Sequence, residues 1–205
     1  MLFSRFAILP SLAFAASLPR DILPTGQIVK QDVINIHNAV LALDNTINSY
    51  QGVPLPTSLV EGTPVLLGVA EIHKVNRAGF RHALAALPFT VEDSRDVIDA
   101  VVDTGTYRSI YFSQELIGSL VNVSIPKSTQ DLKAKVDAFK QGGLVPVVVA
   151  SLTLLLSDHD TFSAATLVKI DQAVGSEKIK QGEDAVANIH NAIADAIKFY
   201  AANLV

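Results

Sequence analysis

Proline divides this chain into lengths suited to helices. Pro24 and Pro54 bracket one proline-free span, Pro64 and Pro88 a second, and Pro88 and Pro126 a third. From Pro146 onward there is none. Proline lacks a backbone N–H and clashes with the preceding turn, so helices run between prolines rather than through them. Within the spans, apolar residues recur at helical spacing.

The first span predicts a helix over 28–49, with Ile36, Val40, Leu43 and Ile47 on one face. The second opens at Gly62-Thr63-Pro64, with Thr63 as cap and Pro64 at the first helical position, and runs to about Leu87. The third opens at "TVED", where Thr90 and Asp93 resemble a capping box. Val97, Ile98, Val101, Val102, Phe112 and Leu116 share its apolar face, opposite Asp96, Asp99, Asp103 and Gln114, and Gly105 marks a bend. A fourth helix starts near Thr129, meets Gly142-Gly143 and Pro146, and continues as "VVVASLTLLLS". That last piece is apolar all round and is expected to be central and buried. Alone it also reads as a buried strand, but its neighbours favour a helix. A turn is expected around Phe162–Ile170, then a fifth helix over 176–201. The fold class is all-α, a single bundle of about five helices.

The segment "MLFSRFAILPSLAFAAS" has one basic residue, Arg5, then an apolar run, then small residues. It reads as a secretory signal peptide cut near residues 15 to 17, too short and too broken by Pro10 for a membrane anchor. The expected organisation is a signal over 1–17, a lead-in over 18–27 and a binding domain over 28–205. Removing Arg5 takes the formal charge from −4 to −5. A mildly acidic chain lacks the clustered cations that nucleic acid requires. No cysteine is present, so an exported form is held together by its core. Hydrophobic residues make up 49% and charged ones 18%, yet no run reaches the ~20 apolar residues of a membrane span. A surplus of this kind is buried or offered to an apolar partner. The closing "DAIKFYAANLV" carries no long hydrophobic tail of the lipid-anchor type. One glycosylation sequon, Asn122-Val123-Ser124, falls between the third and fourth helices.

The pentapeptide "NIHNA" occurs at 35–39 and again at 188–192. On the helical wheel Ile36 aligns with Val33 and Val40, and Ile189 with Val186 and Ile193. The asparagines fall on the outer face and the histidines at the stripe's edge. The similarity ends outside the pentapeptide, which argues against duplication. Two half-buried helices meeting similar demands explain the positions. His37 and His190 as a metal pair would lack the three or four ligands that zinc needs, so neither metal nor cofactor is expected.

"SDHD" at 157–160 reads as capping residues at a helix junction. His73, Lys74, Arg77 and Arg81 form a basic stripe that reads as a solvated face, or as a receptor for an anion. No nucleophile elbow, metalloprotease helix or phosphate loop occurs, so the reading is non-enzymatic. Ser94, Ser109, Ser151 and Thr153 are isolated hydroxyls on apolar faces. They either bond a carbonyl one turn back or serve the polar end of a ligand in an aliphatic cavity.

Together, "IVKQDVINIHNAVLALDNTINSYQG", "TVEDSRDVIDAVV" and "DAVANIHNAIADAIKFYAANL" resemble the fungal hydrophobic surface binding protein A family, also known as cell wall galactomannoproteins. The resemblance spans roughly 25–202. It implies a secreted or wall-associated, cysteine-free bundle that binds fatty acids in an elongated apolar cavity. The alternative is a protein that adsorbs to hydrophobic surfaces and recruits secreted hydrolases. A missing Ser/Thr-rich stalk favours release over stable wall attachment. The wheels, rather than any family motif, supply the expected lining. It comprises Ile36 and Val40, Val69 and Ile72, then Val97, Ile98, Val101 and Phe112. Val148, Leu152, Leu155 and Ile193 complete it, with Ser109 and Ser151 as head-group candidates.

Overall fold

The computed structural model describes residues 23–52, 55–105 and 125–204. Among them are seven α-helices and no strand. They are α1 Gly26–Ser49, α2 Leu55–Ala85, α3 Val91–Gly105 and α4 Ile125–Ala134. Then come α5 Val136–Gln141, α6 Val145–Leu167, a 3₁₀ turn at Gln172–Val174, and α7 Ser176–Ala201. The signal segment, Ser109, Phe112 and Asn122 lie outside the described residues.

The helices close into a ring. α1 packs on α2, α2 on α6 and α6 on α7, while α3 and α4 each bridge α7 back to α1. Every long helix therefore turns one stripe to a common axis and another to water. The buried stripe of α1 is Val29, Val33, Ile36, Val40, Leu43 and Ile47, a run of three- and four-residue steps. One end of the ring is plugged by aromatics. Tyr50 stacks on Phe139 at 4.7 Å, Tyr200 meets Phe139 edge-on at 6.1 Å, and the Tyr200 hydroxyl donates to the Leu132 carbonyl. At the other end the Phe89 amide donates to the Lys169 carbonyl at 2.8 Å, and Lys169 Nζ to the Ala86 carbonyl at 2.6 Å. Ser94 is fully buried there and accepts from the Asp171 amide, so it is structural.

Several expectations need correction. α2 starts at Leu55, and Pro64 lies inside it rather than at its start. Pro56 already occupies the first turn, where a missing N–H costs nothing. Pro64 gives no backbone N–H to the Val60 carbonyl four residues back, and Val60 is 72% exposed, so that turn lies at the surface. Thr90 does cap α3, accepting from the Asp93 amide at 3.1 Å. The fourth helix begins at Ile125 and breaks at Lys135. α6 runs unbroken to Leu167, through much of the segment read as a turn. It is not central either: Leu154 is 41% exposed, and Ala150 and Thr153 face out beside it. A ring gives every helix an outer face, and here the aliphatic surplus reaches it. By length and mean hydropathy α6 is also apolar enough to cross a membrane. Its Asp158, however, is 4% exposed and bound to His73 of the adjacent α2.

Candidate functional site

Ring closure leaves unfilled space at the axis. The largest of three axial cavities, about 120 Å3, takes wall residues from α1, α2, α3, α4, α6 and α7. A second, about 40 Å3, lies between α1, α3, α6 and α7 and shares Val33, Val101, Phe162 and Ser163 with it. A third, about 50 Å3, lies toward the aromatic plug and shares Leu43, Ile47, Leu132, Leu152 and Leu155. The three stand in a row along the bundle, separated by side chains common to both neighbours. Phe162 is the bulkiest partition, and Gly79 of α2 makes room for its ring: a Cβ there would stand 3.1 Å from the ring edge.

The residues assigned from the wheels fall on these walls as follows. Ile36, Val40, Ile72 and Ile193 line the largest cavity, as do Val101, Leu152 and Leu155. Val97 and Ile98 line the second, and Val69, Val148 and Ser151 the third. Thr153 instead faces solvent, and its hydroxyl donates back to the Val149 carbonyl at 2.8 Å. The "NIHNA" isoleucines, Ile36 and Ile189, both line the largest cavity, from helices on different sides of the ring. The recurrence thus reflects two helices facing one space, with all four asparagines exposed.

The polar wall residues were not singled out from the sequence. Asp44 of α1, Asn76 of α2, Thr104 of α3, Ser128 and Thr129 of α4 and His159 of α6 all border the largest cavity. Their signal was a polar residue at core register: Asp44 falls in step with Val40 and Ile47, and Asn76 with Ile72. Burial pushes the Asp44 carboxyl above the usual range and nearby Asp131 adds to this, against the opposing pull of Lys127, Ser128 and Asn48. Burial likewise lowers His159, whose Nε2–H donates to the Val186 carbonyl at 3.1 Å.

The histidines do not converge. His73 Nδ1 bonds Asp158 at 2.6 Å, His82 Nδ1 bonds Asp32 at 2.8 Å, and His190 Nδ1 bonds Asp160 at 2.8 Å. "SDHD" is therefore not a cap. It is about one turn of α6 that reaches α2 through Asp158 and α7 through His159 and Asp160. His37 faces Asp103 of α3, and burial lowers its pKa. It and His190 belong to separate contacts, because α1 and α7 are joined through α3 and α4. Among the described residues no three potential ligands group as a metal site. The basic stripe on α2 also divides: His73 turns to Asp158, Lys74 pairs with Glu71, and Arg77 lies over the Phe80 ring at 4.5 Å.

The fold has solved counterparts. Afmp4p in complex with palmitic acid superposes with a TM-score of 0.69 at 16% identity, over 85% of this chain and 99% of its own. Ligand binding domain 1 of the Penicillium marneffei MP1 protein, complexed with arachidonic acids, gives 0.65 at 20% identity, over 83% and 95%. Ligand binding domain 2 of that protein, complexed with multiple arachidonic acids, gives 0.54 at 15%, over 84% and 93%. At these identities the likeness is one of fold. No curated protein matches the sequence. The helices α1 to α3 do carry a recognisable family pattern: over residues 26–107 the chain matches hydrophobic surface binding protein A.

Proposed function

We propose that this protein is a non-enzymatic carrier of long-chain fatty acids or similar lipids, held along the axis of the helical ring. The observation that carries this reading is the row of apolar cavities with shared walls. Each alone is smaller than the ~300–1,000 Å3 of most small-molecule sites. A flexible acyl chain suits such a row, since turning Phe162, Leu152 and Leu155 joins the compartments without moving a helix. Burying a sixteen-carbon chain contributes roughly 12 kcal/mol gross, at about 0.8 kcal/mol per methylene. Ordering and lost motion offset much of that, leaving micromolar to nanomolar affinity. The fatty-acid complexes of the similarly folded Afmp4p and MP1 domains support the reading. Calorimetry or native mass spectrometry on delipidated protein, with fatty acids of increasing length, tests it. Affinity is expected to climb with length and then level off. If no length binds tighter than about 100 μM, the cavity is not a lipid site.

A second reading is favoured by the outer surface. Val60, Leu66 and Leu67 of α2 are 72%, 44% and 64% exposed, and Leu154 of the adjacent α6 is 41% exposed. Such a face suits adsorption to a hydrophobic surface, where secreted hydrolases are the partners this reading would recruit. Either role belongs to an extracellular protein, released or loosely associated with the wall and glycosylated at Asn122. Glycosidase treatment of the secreted protein is expected to lower its mass; an unchanged mass would remove the glycan from this account.

A further inference from the structure

The wall of the largest cavity has one polar spot whose bonding is incomplete. Asp44 is 4% exposed and Ser128 is 9% exposed, and both line the cavity. Asn48 Nδ2 donates to Asp44 Oδ2 at 3.1 Å. The Ser128 hydroxyl lies near enough to act on the Asp44 carboxyl, yet neither Asp44 Oδ1 nor Ser128 Oγ makes a well-formed hydrogen bond among the described residues. Other polar groups on the same wall are bonded: the Thr129 hydroxyl donates to the Pro126 carbonyl, Thr104 to Val101, and Asn76 Nδ2 to Ile72. Buried polar atoms without partners are rare, because the lost hydration is not replaced. Two side by side, facing an apolar cavity, make a place for the polar end of a ligand.

We propose that Asp44 and Ser128 form a head-group site that selects lipids ending in a hydroxyl, such as a long-chain alcohol, over an ionised fatty acid. The inference rests on the carrier reading above and specifies its ligand class. A hydroxyl donates its proton to Asp44 Oδ1 and accepts one from Ser128 Oγ, satisfying both atoms. A carboxylate has no proton to give and places a second negative charge beside Asp44, in a setting where charges are weakly screened. The charged groups acting on Asp44 come from α4. Asp131 adds negative charge, and Lys127, which opposes it, is itself paired with Asp131. From the other helices the cavity receives Asn76, Thr104, Ser163 and His159, of which only His159 titrates, and burial lowers its pKa. Burial also raises Asp44, so acid converts it to a donor and relaxes the exclusion.

The test is calorimetry on the delipidated full chain with dodecanol, dodecanoate and methyl dodecanoate, the last as a chain lacking a donor. At about pH 8, well above the carboxylate range, dodecanol is expected to bind at least about tenfold tighter than dodecanoate. Asp44→Asn is nearly isosteric and can donate to a carboxylate, so it should shrink that ratio to within about threefold. Ser128→Ala should weaken dodecanol several-fold. If wild type binds dodecanoate as tightly as dodecanol, or Asp44→Asn leaves the ratio unchanged, the head-group proposal is overturned while ester binding keeps the carrier reading. If none of the three ligands binds, both fall together.

Discussion

Gly52 shows how much a single backbone position constrains this bundle. It turns the chain from α1 into α2 with a φ of +79°, and a Cβ there would stand 2.1 Å from the Ala138 carbonyl oxygen of α5. Gly52→Ala is therefore expected to destabilise by about 1–3 kcal/mol in urea unfolding. Gly143→Ala shares the strain, with φ +68°, but meets nothing within 4 Å and should cost less. Asp44 bears on stability in a different way. Its carboxyl is raised in the folded protein, so the folded state holds that proton more tightly than the unfolded chain. The stability this gives is complete below the unfolded pKa and is lost as pH rises through the folded one. Asp44→Asn should thus raise Tm at neutral pH, and the gap should close as pH falls into the carboxylate range. A melt series that shows the gap widening toward acid would contradict this. The oddity of Asp44 was legible in the sequence, being an acid at core register between Val40 and Ile47. Its neighbour Ser128 was not, because only folding brings α4 beside α1.

At the scale of elements, proline and aliphatic spacing located the long helices well, because both act within a few residues. α1 and α7 run almost as the periodicity predicts. Errors arose where tertiary context decided. Pro64 sits inside α2 on a turn at the surface, where Val60 is exposed. α6 was expected to be central because it is apolar all round, yet no local signal says which side a ring turns outward. "SDHD" suggests a cap for the same reason: Asp158 and Asp160 have their partners on helices far away in sequence. The exposed aliphatic face of α2 and α6 gives the adsorbing reading its own test. Leu67→Lys with Leu154→Lys should strongly reduce adsorption to polystyrene, while each shifts stability by no more than about 0.5 kcal/mol, as exposed substitutions do. Unchanged adsorption would move surface activity elsewhere on the molecule.

The whole molecule follows from how many helices share the axis. Four helices of ordinary girth meet around a solid core, whereas α1, α2, α6, α7 and the pair α3 and α4 make a wider ring. Large aromatics close one end, and the middle is walled largely by valine, isoleucine and leucine, which leave gaps. A ligand that fills those gaps binds only the folded state, so it must raise the melting temperature. At a free concentration about a hundredfold above Kd the gain is about 2.7 kcal/mol, or roughly 5–10 °C for a domain of this size. With fatty acids at one fixed concentration, the shift should grow with each added pair of methylenes until the row of cavities is full. Val101→Glu separates this from nonspecific lipid effects. Val101 is half-buried and borders both the largest and the second cavity, so a charge there faces any bound chain. Its melting temperature should become insensitive to lipid. Asp99→Ala, two residues away on the opposite face, loses a surface pair with Lys178 and should keep the full ligand shift. Equal shifts in the two variants would place the lipid outside the ring.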